Sequence, residues 1–218
     1  RRDMILNLIE KRPKNSEILD LGCATGATME FLQKSGFTNV AGIDNSPEAI
    51  GICRSKGLNA IFEDASRFDS GQNSFDVIIM ADVLEHIKDD AEVLRGCKNL
   101  LKPGGDIIIT VPAFAWLWGK NDEDNLHFKR YTKSELAGLL ELAGLKPGKV
   151  SYWNFFLFLP IAMMIFISNI TKSNPRFFSN VFLNNFLTGL MRVENKFFEV
   201  FDLPVGISVI AVATKDNL

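Results

Sequence analysis

The chain has 218 residues, and its 24 Lys and Arg against 26 Asp and Glu give a formal net charge of −2 at pH 7. This length suits one substantial α/β domain with a single core, so we expect one domain over residues 1–218. A balance so close to neutral lacks the excess of cations that neutralises many phosphates, and it therefore disfavours a nucleic-acid substrate.

Strands and helices alternate along the first two thirds of the chain. An apolar run over 17–23 ends in a glycine-rich turn and leads into a helix, and a second strand follows over 39–46. Ser46 and Pro47 have the pattern of an N-cap and a first helical position. A third strand is predicted to end at Asp64.

The fourth and fifth strands are the most apolar of the series. The fourth covers 75–80 and is followed by a predicted helix to about Leu101, which the segment KPGG is expected to end. The fifth covers 106–112. Because these strands have continuous apolar centres and alternate with helices, we expect a parallel sheet covered on both faces, with ligands at the carboxyl ends of its strands.

The last third of the chain has a different composition. A helix over 132–145, capped by Thr132 or Ser134, precedes a sixth strand over 146–153, and a seventh is expected over 205–214. Eleven of the 18 Phe follow residue 151, and residues 151–191 contain no Asp or Glu. We therefore predict an apolar helical insertion over 155–203, before the last strand.

Three interpretations of this insertion stay open. Thirteen apolar residues over 155–167 span about 20 Å as a helix, short of the roughly 30 Å hydrocarbon core, so a lone transmembrane span is not expected. An apolar stripe continues through Phe178, Phe182 and Phe186 towards Phe197, Phe198 and Phe201. The insertion could be a helical cap buried by itself or by a second copy in a homodimer, a lid over an apolar acceptor, or a peripheral membrane contact aided by Lys172 and Arg176.

Acidic residues stand at the ends of the first four strands, where a parallel sheet binds its ligands. They are Asp20, Asp44, Asp64 and Asp82. Such an edge suits a ligand with hydroxyl groups, an amine or a positive charge. Gly22, Ala24 and Gly26 allow the backbone to approach a ligand at the start of the following helix. A dinucleotide site would have GxGxxG, and the spacing here differs at its last glycine, although a nicotinamide oxidoreductase stays an alternative.

Five segments in order resemble one enzyme family. ILDLGCATG, GIDNSPEAI, EDA, FDVIIMADVLEHI and LKPGGDIIITVP, over about residues 16–150, are similar to the class I S-adenosylmethionine-dependent methyltransferases, in the small-molecule branch related to the ubiquinone-biosynthesis methyltransferases. The resemblance implies a Rossmann-like α/β fold with a doubly wound, seven-stranded, mostly parallel sheet. It also implies S-adenosyl-L-methionine as cofactor and S-adenosyl-L-homocysteine as product.

The resemblance also implies roles for individual residues. The pocket for the methionine part of the cofactor would be formed by Asp20, Gly22, Ala24 and Gly26. Asp44 would accept hydrogen bonds from both ribose hydroxyls, Asp64 and Ala65 would flank the adenine, and Met80 and Ala81 would line the floor. Simpler roles stay open for three acids: Asp20 as a cap of the next helix, Asp44 as a turn residue and Asp64 as a solvated loop acid.

Candidate catalytic residues come from the two histidines and from one loop. A hydroxyl acceptor benefits from a base, and either His86, after strand four, or His127 could serve, or be structural. The segment AFAWLWGKNDEDNLHFKRYTKSEL is similar to one in lipid and polysaccharide pathway methyltransferases. Its matching residues are Trp116, Asp122, Glu123, His127, Arg130 and Tyr131. Asn121 stands where relatives often have another His. Asp122 could orient the His127 ring or be a solvated acid in a lid.

The catalytic prediction is therefore His127, His86, Asp122 and Tyr131, without a metal, because consecutive loop acids usually face water. Cys23, Cys53 and Cys97 form no metal-ligand pattern and indicate buried thiols of a reducing compartment, which favours a cytoplasmic protein. We expect methyl transfer to a small apolar or lipid-linked acceptor, at oxygen. A non-catalytic, membrane-associated protein that binds S-adenosylmethionine stays a further alternative.

Overall fold

The structure is a computed structural model that describes residues 1–65, 68, 71–171, 187–191, 193–196 and 201–217. Most of the predicted phenylalanine stripe, including Phe178, Phe182, Phe186, Phe197 and Phe198, lies outside the described residues. The predicted bounds of the insertion, 155–203, therefore stay a prediction.

A seven-stranded mixed sheet runs through the described chain in the order β3-β2-β1-β4-β5-β7-β6. The strands are β1 Glu17–Leu21, β2 Asn39–Asp44, β3 Asn59–Phe62, β4 Phe75–Ala81, β5 Leu101–Pro112, β6 Lys146–Trp153 and β7 Ser208–Thr214. The first five pair in parallel, whereas β7 is antiparallel to both β5 and β6. The predicted doubly wound, mostly parallel sheet is confirmed.

Helices flank both faces of the sheet. They are α1 Arg2–Ile9, α2 Ala27–Lys34, α3 Pro47–Ser55, α4 Asp90–Leu100, α5 Lys120–Asp124, α6 Lys133–Leu142 and α7 Phe158–Thr171, with 3₁₀ turns at Leu84–His86 and Ala115–Leu117. Residues 187–191 and 193–196 are also helical.

Two helix starts follow the predicted capping chemistry. The Ser46 side chain accepts a hydrogen bond from the Ala49 N–H, with Pro47 at the first helical position of α3. Thr132 caps α6, and Glu135 returns the bond to the Thr132 N–H, which completes a capping box. Of the two predicted caps, Thr132 and Ser134, the structure has Thr132.

Several predicted boundaries were wrong, as three examples show. The segment after β4 does not continue as one helix, because a loop and a 3₁₀ turn precede α4, which begins at Asp90. KPGG lies within β5 and not after a helix, since Leu101 pairs with Phe75 and a register shift absorbs the extra residues before Val77. The third strand ends at Phe62, two residues before Asp64.

The core consists of two apolar clusters, one on each face of the sheet. Ile78 and Met80 point to the face covered by α4 and α6, whereas Val77 and Ile79 point to the face covered by α1, α2 and α3. Cys23, Cys53 and Cys97 are free and buried in these clusters, as the sequence indicated. Burial on both sides explains why the central strands read as continuous apolar runs.

The helix α7 differs from the others because none of its 14 residues, all of which the structure describes, is buried. Its outer face leaves five large apolar side chains exposed: Leu159, Met163, Phe166, Ile167 and Ile170. Among the described residues, no helix combines the length and the apolar character that crossing a bilayer requires.

Candidate active site

A cavity of about 900 Å³ lies over the carboxyl ends of β1, β2 and β4. Six of the nine predicted cofactor residues line it: Gly22, Ala24, Asp44, Asp64, Ala65 and Ala81. Asp82, Val83, His86 and Phe128 contribute to the same wall. Three of the four strand-end acids, Asp44, Asp64 and Asp82, therefore meet the glycine-rich loop at one site, as expected for the carboxyl edge of a parallel sheet.

The loop after β1 has an unusual backbone, because alternate residues have positive φ. The φ angles are 79° at Gly22, 46° at Ala24 and 80° at Gly26. Asp44 fixes this loop, since the Ala24 N–H donates to Asp44 Oδ2 at 2.8 Å and the Ser46 N–H donates to Asp44 Oδ1 at 2.9 Å. Asp44 is therefore more than a turn residue: it ties the end of β2 to the loop after β1.

Both glycines of the loop also stand where a side chain would collide. A Cβ at Gly22 would lie 2.4 Å from Val83 Cγ2, and one at Gly26 would lie 2.3 Å from Leu58 Cδ1. Gly26 does not line the cavity; it is the N-cap residue of α2, where its left-handed conformation starts the helix. Its contact with the cofactor stays a prediction.

Asp20 is buried beneath the loop and does not line the cavity wall. Its pKa is raised to about 7, first by burial and then by the neighbouring Asp44 carboxylate. The alternative that Asp20 caps α2 is wrong, because α2 begins at Gly26 without a side-chain cap. A cationic ligand above the loop would lower this pKa again.

Met80 requires a correction, because its side chain is fully buried and away from the cavity. Its Sδ atom lies 3.8 Å from Cys97 Sγ, on the face covered by α4. Side chains alternate along a strand, so Ala81 reaches the cavity and Met80 does not. Val83 and Ile87, which sequence reasoning did not select, line the cavity instead.

Asp122 is a fully buried acid bound by three groups, which rules out a solvated lid residue. His127 Nδ1 donates to Asp122 Oδ1 at 2.9 Å, and the Gly119 N–H donates to Oδ2 at 2.9 Å. The Arg130 guanidinium donates to both oxygens, to Oδ1 at 2.8 Å and to Oδ2 at 3.0 Å. Burial acts to raise the Asp122 pKa, but the hydrogen bonds, led by that from Arg130, outweigh it and keep the pKa below its ordinary value.

The two histidines lie together although 41 positions separate them in the chain. Their ring centroids are 4.7 Å apart at an interplanar angle of 85°. His86 lines the cavity, whereas His127 stands behind it, between His86 and Asp122. Burial, and next the neighbouring His127, lower the pKa of His86. The structure thus favours His86 as the residue that faces a ligand.

Glu85 is a functional candidate that sequence reasoning missed. Its side chain is 1% exposed, and among the described residues its Oε2 is a buried polar atom without a hydrogen-bond partner. Burial, followed by the charge of Asp82, raises its pKa to about 8. Donor atoms of Glu85, His86 and His127 lie within 4.8 Å of one another, which is close enough to hold a divalent ion. The adjacent loop acids Glu123 and Asp124 are exposed and do not join this cluster.

Tyr131 requires the second correction. The Tyr131 side chain is buried, with 1% of the residue exposed. Its hydroxyl donates to Asp90 Oδ2 at 3.0 Å, and the same hydroxyl lies 3.3 Å from the Leu84 carbonyl oxygen. Burial and the Asp90 carboxylate raise its pKa. The phenol therefore holds the start of α4 to the segment after β4 and does not face the cavity.

The chemistry of the cavity fits S-adenosylmethionine. The acids Asp44, Asp64 and Asp82 suit its hydroxyls, its amines and its positive charge, and Ile43, Val83 and Ile87 form an apolar wall for a flat base. The residues that would hold the cofactor are therefore those of the loop after β1 and of the ends of β2, β3 and β4.

Comparisons with known proteins agree with this fit. A family model described as a methyltransferase domain matches residues 2–149. The ubiquinone biosynthesis O-methyltransferase of Xanthomonas axonopodis pv. citri (strain 306) is 30% identical over 159 residues, which are 64% of this chain and 66% of that protein. This chain thus spans about two thirds of the length of that relative.

Solved structures share the fold at lower identity. A SAM dependent methyltransferase from Archaeoglobus fulgidus has a TM-score of 0.64 and 20% identity, covering 99% of this chain and 95% of its own. Phosphoethanolamine N-methyltransferase 2 of Haemonchus contortus, solved with S-adenosyl-L-methionine, has a TM-score of 0.65 and 16% identity, covering 98% of this chain and 52% of its own. Together with the family match over residues 2–149, these likenesses show that the chain belongs to the class I S-adenosylmethionine-dependent methyltransferases.

Proposed function

We propose that the protein transfers a methyl group from S-adenosylmethionine to the hydroxyl of a small apolar or lipid-linked acceptor, of the phenol class. The observation that carries the proposal is the cavity wall at His86, where a histidine with a lowered pKa faces the ligand and is backed by His127 and Asp122. A neutral imidazole is the form that accepts a proton.

The cofactor side follows from the cavity and the family resemblance. Asp44 binds the ribose hydroxyls, Asp64 and Ala65 flank the adenine, and Gly22 and Ala24 bring the backbone close to the methionine part. S-adenosylmethionine supplies an electrophilic methyl group on a positively charged sulfur. The protein positions the acceptor for in-line attack and keeps water away, and these two effects can supply most of the acceleration.

The acceptor side depends on proton transfer. A phenol has a pKa near 10, as the Tyr side chain does, and a histidine base can assist the loss of its proton. An aliphatic alcohol is a far weaker acid, so a histidine would assist it less. His86 takes the proton in this proposal. His127, whose Nδ1–H is held by Asp122, fixes the position of the His86 ring and is a positioning residue.

The deciding experiment offers the protein labelled S-adenosylmethionine with simple phenols and with a host lipid extract, and identifies methylated products by mass spectrometry. His86→Gln is expected to lower turnover by about 10² to 10⁴, the usual contribution of a general base, while S-adenosylhomocysteine affinity is retained. Turnover unchanged in this variant would contradict the role of His86. No product from any hydroxyl acceptor would favour the non-catalytic alternative.

The nicotinamide alternative loses its support, because the matched family is a methyltransferase one. Calorimetry checks it directly: S-adenosylhomocysteine is expected to bind, and NAD is not.

Peripheral membrane contact through the insertion is a further part of the proposal. It is supported by the exposed apolar face of α7 and by the lack of Asp and Glu over residues 151–191.

A further inference from the structure

A second cavity, of about 470 Å³, lies between α5 and α7, within the range of roughly 300 to 1,000 Å³ typical of ligand pockets. Five residues of α7 line it: Ile161, Met164, Ile165, Ser168 and Asn169. Ile207, the residue before β7, also lines it, and Ser208 at the start of β7 pairs with Pro112 at the end of β5. The second cavity therefore opens at the same sheet edge as the cofactor cavity.

The apolar wall of this cavity is held in place at both ends of α7. At one end Phe158 packs against Trp116 and Phe114, with ring centroids 5.9 Å apart in both pairs. At the other end Asn169 Nδ2 donates to the Trp118 carbonyl oxygen at 2.9 Å. Between these anchors the helix faces the cavity and leaves its inner side chains half-buried. Within the part of the chain that the structure describes, the wall thus lacks the packing that an apolar helix face ordinarily obtains from a core.

The four charges on the lining, from Lys120, Asp122, Asp124 and Arg130, sum to zero. Arg130 and Asp122 form a bidentate pair with each other, and Lys120 and Asp124 are of opposite sign. The buried charge, on Asp122, is already satisfied by Arg130, so burying a further charge beside it would be costly. The cavity therefore suits an uncharged apolar chain.

A short series of side-chain contacts joins the second cavity to His86 in the wall of the cofactor cavity. Asp122 lines it and accepts the hydrogen bond from His127, and the His127 ring contacts His86, which lines the cofactor cavity. A chain beside Asp122 would therefore lie two side-chain contacts away from His86.

We propose that the α5–α7 cavity binds the apolar chain of the acceptor, and that Met164 and Ile165 set the size of the chain it accepts. This proposal rests on the proposed function, because the hydroxyl to be methylated would lie at His86. Adjacent methionines of α7 provide a matched pair of variants, since Met164 lines the cavity and Met163 is 63% exposed on the outer face.

The first arm measures binding without chemistry, by calorimetry with hexan-1-ol and decan-1-ol. Affinity is expected to rise by up to about fourfold per buried methylene, from roughly 0.8 kcal/mol for each. Met164→Trp fills the cavity and is expected to weaken decan-1-ol binding by about tenfold or more, whereas Met163→Trp should leave it unchanged. S-adenosylhomocysteine affinity and thermal unfolding check folding, and Ile165→Phe replaces Met164→Trp if that variant does not fold.

The second arm measures kcat/KM for 4-methylphenol and 4-decylphenol. Met164→Trp is expected to lower the value for 4-decylphenol about tenfold and to spare 4-methylphenol, which would support the proposal together with the loss of decan-1-ol binding. An equal effect on both phenols, or wild-type protein that does not bind decan-1-ol, would overturn it. Wild-type protein that methylates neither phenol would count against the proposed function instead, and the calorimetry would still decide whether the cavity takes an apolar chain.

Discussion

Asp44 accepts hydrogen bonds from two turns at once, and in the proposed function it also binds the ribose of the cofactor. Its oxygens accept hydrogen bonds from the backbone of Ala24 and of Ser46, and each oxygen retains a further lone pair for a ribose hydroxyl. The same carboxylate therefore shapes the loop after β1 and presents an acceptor to the cavity.

Replacing Asp44 by Ala should weaken S-adenosylhomocysteine binding by about tenfold or more, because hydrogen bonds to a charged group contribute about 1.5 to 3 kcal/mol. Calorimetry measures the effect. Glu123→Ala is the control, since Glu123 is an exposed acid of the loop with His127. Unchanged affinity in Asp44→Ala would remove Asp44 from the cofactor site.

His127 can be tested as a positioning residue through the pH profile. His127 contributes to the low pKa of His86, so His127→Gln should raise that pKa and shift the acidic limb of kcat/KM to higher pH. Turnover should then fall more at pH 6 than at pH 8, with cofactor affinity retained. A uniform fall at all pH values, or loss of cofactor binding, would indicate a merely structural role; Glu123→Gln is the matched control.

At the scale of the elements, α7 differs from α4 and α6 in what its apolar residues contact. The inner residues of α4 and α6, such as Leu94 and Leu136, are fully buried against the sheet, whereas α7 presents one apolar face to the second cavity and another to solvent. Composition marks α7 as apolar but does not say what its two apolar faces contact. Only their positions distinguish a core helix from one that covers a cavity.

The outer face of α7 gives a prediction about membranes. Wild-type protein should co-sediment with vesicles of phosphatidylcholine and phosphatidylglycerol, and Phe166→Glu should lower binding by about tenfold, since burying a Phe contributes roughly 1.5 to 3 kcal/mol. Leu142→Glu is the control, because Leu142 is equally exposed but lies on α6. Equal losses in both variants would show that α7 is not the contact.

At the scale of the whole molecule, two buried acids make stability depend on pH. The pKa of Asp20 is raised to about 7 and that of Glu85 to about 8, in both cases chiefly by burial. Above about pH 4 the unfolded chain ionises these groups while the folded protein keeps them protonated, so the unfolded state binds fewer protons. Their contribution to stability is complete below that pH and is lost as the pH rises towards 8.

Glu85→Gln should therefore reduce the fall in the free energy of unfolding between pH 5 and pH 8.5. At pH 8.5 the variant should be more stable than wild type by about 1 kcal/mol or more, because an ionised carboxylate no longer has to be buried. Urea denaturation at both pH values measures this. Glu141→Gln, at an exposed position, serves as the control. If the free energy of unfolding falls equally with pH in wild type and in Glu85→Gln, the raised pKa of Glu85 is contradicted.

The sequence by itself determined the alternation of strands and helices, the glycine-rich loop after β1 and the acids at the strand ends, because these are local patterns with a fixed period or spacing. Even there, a shift of one position decided which residue faces the cavity: Ala81 does and Met80 does not. A strand that is buried on both faces has no alternation of polar and apolar residues. Its sequence therefore does not show which residues point to which face.

Only the tertiary structure decided burial and the contacts between distant segments. It brought His86 to His127, paired Asp122 with Arg130 and turned the Tyr131 hydroxyl towards Asp90. It also buried Glu85 with its Oε2 atom unpartnered among the described residues. An acid or a tyrosine in a loop reads the same whether it is solvated or enclosed. Its pKa and its role follow from the neighbours that packing supplies, and that is the physical reason why the catalytic candidates changed while the fold did not.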